Sequence, residues 1–163
     1  MKKIIIISLA AVLISSCQQK QAFTECAEID LVKKANEAYL KGDWQNLRTF
    51  YADTAIIYVN TWARNRLTPD ELIEQFKSSL ADMQEYKISD QISQMVVTEK
   101  GEHNVNQWFE WTGKHKNGKE IRSVIGLSCQ VENNEIVFFG LIYDTLPFYQ
   151  AAQADSVGLV AAN

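Results

Sequence analysis

HNVNQWFEWTGKHKNGKEIRSVIGLSCQVENNEIVFFGLIYD, residues 103–144, decides the fold of this 163-residue chain. Three runs rich in β-branched and aromatic residues are separated there by Asn117-Gly118 and Asn133-Asn134. Asn-Gly between apolar runs is the strongest short hairpin signal. A fourth run lies just upstream and ends at Lys100-Gly101. The runs over about 87–98, 103–116, 119–132 and 135–144 therefore predict an antiparallel meander.

The residues before the meander are patterned for helices. Leu31, Ala35, Ala38 and Tyr39 recur at helical spacing between Ala27 and Lys41, and Gly42 is the stop. Asp43 caps a second short helix through Phe50 that turns Trp44, Leu47 and Phe50 inward. Ala55 to Val59 is a brief strand. Thr68-Pro69-Asp70-Glu71 joins a capping box to a proline at the first helical position, which starts a helix running to about Met83. Helices followed by a meander predict an α+β domain, a curved sheet wrapped around helices. The alanine-rich tail, 151–163, carries no clear pattern and reads as a flexible end.

The N-terminus is a different kind of segment. Lys2 and Lys3 precede an apolar run from Ile4 to Ile14, broken only by Ser8, and Ser15-Ser16-Cys17 follows. That run is a signal-peptide core and is shorter than the ~20 residues a membrane-spanning helix needs. Its ending resembles the lipobox of bacterial lipoproteins. The resemblance implies removal of residues 1–16 and acylation of Cys17, with an ordinary secretory signal as the alternative. Residues 17–25 then form a lipidated tether and 26–150 the folded domain. Gln18 rather than aspartate after the cysteine leans toward the outer membrane, facing the periplasm.

Losing Lys2 and Lys3 takes the 16 basic residues to 14 against 20 acidic, a mature net charge of −6. That balance argues against nucleic acid as a partner, because phosphate backbones are bound through clustered Lys and Arg. The chain contains no CxxC, HExxH, histidine cluster or glycine-rich phosphate loop, so no metal or cofactor is expected. Cys129 lies in an apolar strand pattern and reads as a buried thiol. Whether it pairs with Cys26 is left open.

Hairpin registers assign the sheet faces. With both asparagine turns taken as two-residue loops, Trp108 opposes Leu127, Glu110 opposes Ile125, Ser123 opposes Asp144, Ile125 opposes Ile142 and Cys129 opposes Phe138. The helix-facing side then collects Trp108, Glu110, Thr112, Ser123, Ile125, Ile142 and Asp144. The polar members converge at one end of an apolar surface, the usual pattern of a small-molecule site. The opposite side gathers Phe109, Trp111, Val124, Val137, Phe139, Leu141 and Tyr143, too aromatic for a face left in water. A second copy covers it in this reading, giving a homodimer through the convex face. The alternative is that the tail or a bulge-shifted register covers these residues.

The element order and two local phrases, Leu47-Arg48-Thr49-Phe50-Tyr51-Ala52-Asp53-Thr54-Ala55 and Trp111-Thr112-Gly113-Lys114-His115, resemble the nuclear-transport-factor-two-like superfamily with its SnoaL-like cyclases. The resemblance covers about residues 27–149. It implies a cone-shaped, cystatin-like roll with the N-terminal helices on the concave face of the sheet. Relatives use the cone for isomerisation, cyclisation, hydrolysis or dehydration, or for no chemistry. Ketosteroid isomerase-like and cyclase-like relatives place acidic groups there.

Asp144 is accordingly the candidate acid or base, since desolvation would raise its pKa toward neutrality. Capping the turn at Thr145-Leu146-Pro147 is the competing role. Tyr39, Tyr58 and Trp62 are candidates to line the cavity from the helix side, with plain core packing the stronger default for each. His115 is expected to sit at the surface, and Asp53 to cap or brace a turn. No catalytic set assembles around Asp144. The primary expectation is an envelope protein holding a small apolar or aromatic molecule in the cone. The alternative is an isomerase, cyclase or hydrolase using Asp144. A protein–protein adaptor using the convex face is a third, weaker reading.

Overall fold

The computed structural model describes residues 22–61 and 65–160, with side chains through Gln153. The segment expected to be a leader, Cys17 and Trp62 lie outside the described residues. Six strands form one curled sheet: β1 (Ala22–Phe23), β2 (Tyr51–Val59), β3 (Met83–Val97), β4 (His103–His115), β5 (Glu120–Glu132) and β6 (Glu135–Tyr143). Their spatial order is β1-β3-β4-β5-β6-β2, antiparallel throughout except where β2 joins β6 in parallel. Helices α1 (Ala27–Lys41), α2 (Trp44–Thr49) and α3 (Pro69–Leu80) follow the predicted plan, and α4 (Leu146–Val160) is the last described element. The fold is α+β, a half-barrel cone with its core between the concave sheet face and the helices.

Local chemistry sets the helix ends. Glu28 and Asp30 in the first turn of α1 complement its dipole. Its buried stripe is Ile29, Val32, Ala35 and Ala38. Gly42 stops it in the left-handed conformation (φ 65°), with Gly42 N–H donating to Tyr39 O at 3.0 Å and Asp43 N–H to Ala38 O at 2.9 Å. Asp43 caps α2 by accepting from Asn46 N–H at 3.2 Å. The Thr68–Glu71 capping box forms at α3 as predicted. Arg48 ties these pieces together: it donates to Asp70 at 2.8 Å, Asp53 at 2.6 Å and Tyr51 O at 3.0 Å. Asp53 is thus a brace. β2 starts at Tyr51, four residues before the predicted strand, and the segment from Ala151 continues α4 where the sequence shows no pattern.

The sheet registers differ from the predicted ones by one residue, for two identifiable reasons. The loop carrying Asn117-Gly118 has three residues. His115 pairs across it with Lys119 through a 2.8 Å bond, Gly118 takes φ 86°, and Trp111 therefore opposes Ser123. Asn133 and Asn134 do form the two-residue turn, at φ 50° and 63°, and Glu132 opposes Glu135. A bulge at Val137 then shifts β6, so that Gln130 opposes Phe138 and Ile125 opposes Tyr143. A one-residue slip inverts every side chain beyond it. The concave face thus carries Phe109, Trp111, Phe139, Leu141 and Tyr143, while Trp108, Glu110, Thr112 and Ile142 stand outside.

Candidate functional site

Inside the cone, α1 supplies Val32, Ala35, Asn36 and Tyr39 opposite Ile88, Phe109, Trp111, Ile125, Leu127 and Phe139 of the sheet. Together with Leu47, Tyr51 and Phe76 they enclose about 50 Å3. A ligand site for a drug-sized molecule runs to roughly 300–1,000 Å3, so the cone in this state is nearly filled by its own side chains.

Aromatic rings run along the chamber toward α4. Tyr39 meets Phe76 edge-on at 5.0 Å and Tyr86 at 5.9 Å, and Tyr86 stacks on Trp111 at 6.3 Å with a 14° tilt. Phe148 on α4 closes the row, 5.1 Å from Trp111 and 5.4 Å from Tyr143. Trp111 can lie flat because the residue two positions on is Gly113, where a Cβ would come within 2.8 Å of ring atom Cζ3. Polar groups are few and neutral. Asn36 donates to Gln107 at 2.8 Å, and Gln107, fully buried, donates to Ser93 at 3.2 Å. Burial pushes the phenol pKa values of Tyr39, Tyr51, Tyr86 and Tyr143 upward, so they stay protonated.

The sequence-predicted site residues separate. Ser123 and Ile125 are buried on the concave face, and Ile125 lines the chamber. Ser123 does lie beside Asp144, but its hydroxyl donates to the Asp144 backbone carbonyl at 3.4 Å. The Asp144 side chain is exposed and accepts from Leu146 N–H at 2.9 Å, the turn-capping role. Glu110 and Thr112 line an open outer groove of about 630 Å3, where Arg122 donates to Glu110. Trp108 and Ile142 are exposed on that same outer face, and Tyr58 packs near Phe138 there at 6.1 Å. His115, expected at the surface, is buried, with Nδ1 accepting from Asn117 N–H at 3.3 Å. Cys26 and Cys129 are both free, and burial raises the Cys129 thiol pKa. The rings the sequence reading placed elsewhere or overlooked are Phe109, Trp111, Tyr86 and Phe148.

The outer face keeps an apolar stripe of different membership. Ile92, Trp108, Gly126 and Ile142 are consecutive cross-strand partners from β3 to β6. Ile92, Trp108, Val124 and Ile142 are 59–69% exposed. Among the described residues, no group of three or more His, Cys, Asp or Glu side chains is placed to share a metal ion. No described helix is long and apolar enough to cross a membrane.

A curled half-barrel sheet with helices packed in its cone defines the SnoaL-like, nuclear-transport-factor-two-like fold, and the chain has that fold. Solved structures agree at low sequence identity. A candidate polyketide cyclase from Streptomyces antibioticus superposes with a TM-score of 0.62 at 17% identity, covering 78% of this chain and 99% of that one. A candidate SnoaL-like polyketide cyclase from Shewanella putrefaciens gives 0.58 at 16% identity, covering 80% and 98%. An LEH-like epoxide hydrolase of M. tuberculosis gives 0.56 at 12%, covering 83% and 96%. Neither a protein-family model nor a curated protein matches the sequence.

Proposed function

We propose that this protein is a lipid-anchored envelope protein that binds a small apolar or aromatic molecule inside the cone. One observation carries the binding reading. The residues lining the chamber are apolar, aromatic or neutral polar, and none of those described is a carboxylate, histidine, lysine or arginine. Such a lining holds an uncharged molecule through dispersion and desolvation and offers no carboxylate or imidazole to act as a base. The solved neighbours described as cyclases support a small-molecule role for the fold in general. An enzyme built on Asp144 would need that carboxylate to leave its bond to Leu146 N–H and turn into the cone.

Anchoring rests on the Cys17 lipobox, and Cys17→Ala is expected to move the protein from the membrane fraction to the soluble one. The exposed stripe of Ile92, Trp108, Val124 and Ile142 supports a homodimer through the convex face. Trp108→Lys is then expected to halve the mass seen by light scattering at micromolar protein.

Binding is tested with an uncharged fluorescent probe, N-phenyl-1-naphthylamine. Saturable one-to-one enhancement is expected in the wild type and in Asp144→Asn. It should vanish in Ala35→Phe, which fills the chamber from α1. Enhancement that Ala35→Phe leaves untouched would put binding outside the cone.

A further inference from the structure

Trp111 is 2% exposed, and its indole Nε1–H faces the Tyr39 hydroxyl without completing a well-formed hydrogen bond to it. Buried donors are nearly always paired, and an unpaired one favours any molecule that brings it an acceptor. Trp111 and Tyr39 both line the chamber and interact, Trp111 opposing the rise in the Tyr39 pKa that burial causes. The indole N–H and the phenol hydroxyl therefore share one region of the chamber wall. Asn36 Nδ2 is already engaged by Gln107. A carboxylate or ammonium ligand would meet no counter-charge among the lining residues and would be desolvated without compensation.

The size of the chamber adds a second constraint. A cavity that accepts one benzene ring is about 150 Å3, about threefold the 50 Å3 present. The Phe148 phenyl is not part of the chamber lining, but it packs against Trp111 and Tyr143 and so bounds the room beside the Trp111 ring. It belongs to α4, which is fastened to the β4–β5 hairpin by Asn117 Nδ2 donating to Ala151 O at 2.9 Å. Resting on the cone-binding reading above, we propose that the ligand is a neutral, flat molecule with a carbonyl or ring-nitrogen acceptor. The acceptor takes the Trp111 Nε1–H, and the ring of the ligand displaces that of Phe148.

Acetophenone, ethylbenzene and benzoate separate the requirements, being close in size but respectively neutral with an acceptor, neutral without one, and charged. Binding is followed on purified protein by the indole 1H–15N cross-peaks, with Trp111 assigned through Trp111→Phe. In Phe148→Ala, acetophenone is expected to bind about tenfold more tightly than ethylbenzene, the order of one satisfied buried donor. Benzoate is expected not to bind, and the Trp111 indole proton should move downfield with acetophenone alone. The wild type should show the same order at weaker affinity, which keeps the test open if Phe148→Ala does not fold. Trp111→Phe should erase the preference. Equal binding of acetophenone and ethylbenzene, or an unmoved indole peak, overturns the acceptor requirement and leaves cone binding standing. Equal affinity of wild type and Phe148→Ala removes the ring displacement. Failure of all three compounds in both proteins overturns the cone reading itself.

Discussion

Gly113→Ala and Gly126→Ala add the same methyl group beneath a tryptophan, and the fold makes their costs differ. At Gly126 the new Cβ would lie 2.8 Å from ring atom Cζ3 of Trp108, and at Gly113 it would press closer still, onto Cη2 of Trp111. Trp111 cannot yield, because it is buried between Tyr86 and Phe148. Overpacking of that kind costs about 1–3 kcal/mol, offset by roughly 0.5–1 kcal/mol because alanine is less flexible than glycine in a strand. The net expectation is a loss of about 1–2 kcal/mol, or a fall in Tm of about 3–8 °C for a domain of this size. Trp108 is 59% exposed and can swing into solvent, so Gly126→Ala should stay within about 0.5 kcal/mol of wild type. Urea and thermal unfolding followed by far-UV circular dichroism measure both, at a concentration where the protein is monomeric. Equal costs for the two variants would refute the locked Trp111 on which the chamber is built.

Other expectations follow from ion pairs. The His103 ring, 2.5 Å from Glu28, holds the Glu28 carboxyl below its ordinary value. A lowered carboxyl pKa gives stability that is complete above the ordinary carboxylate range and lost as pH falls through the lowered value. Glu28→Gln should therefore flatten the loss of stability below about pH 4.5 in acid titrations followed by circular dichroism. Arg48→Ala removes donors to Asp53, Asp70 and Tyr51 O together. It should cost about 1–2 kcal/mol by urea unfolding, the ion-pair share shrinking in high salt.

The elements were legible wherever a local signal decides them. Gly42, the Asp43 cap and the Thr68–Glu71 box each specify a backbone conformation within a few residues, and each helix formed where they placed it. The number and order of the long strands followed from three turns. Faces were not legible, because they depend on a count along the whole strand. Nothing in Val137 announces a bulge, and Asn117-Gly118 serves a three-residue loop as readily as a two-residue one. Those two single-residue shifts exchanged Trp108 for Trp111 and Ile142 for Leu141 and Tyr143 in the cone. Both tryptophans have a glycine beneath them, Gly113 and Gly126, so that cue marks a flat ring without saying which face carries it. β5, bounded by the errors on either side, kept its face, which is why Ser123 and Ile125 stayed inside. Asp144 is near Ser123 only through its backbone carbonyl, because β6 is shifted by one residue, and its carboxylate caps the start of α4.

Diffraction from crystals grown with N-phenyl-1-naphthylamine tests the cone most directly. Density for the fused rings is expected between Trp111, Tyr39 and Phe109, with Phe148 moved aside. Density lying instead on Trp108, or in the outer groove beside Glu110 and Arg122, with the cone still closed, would contradict binding in the cone.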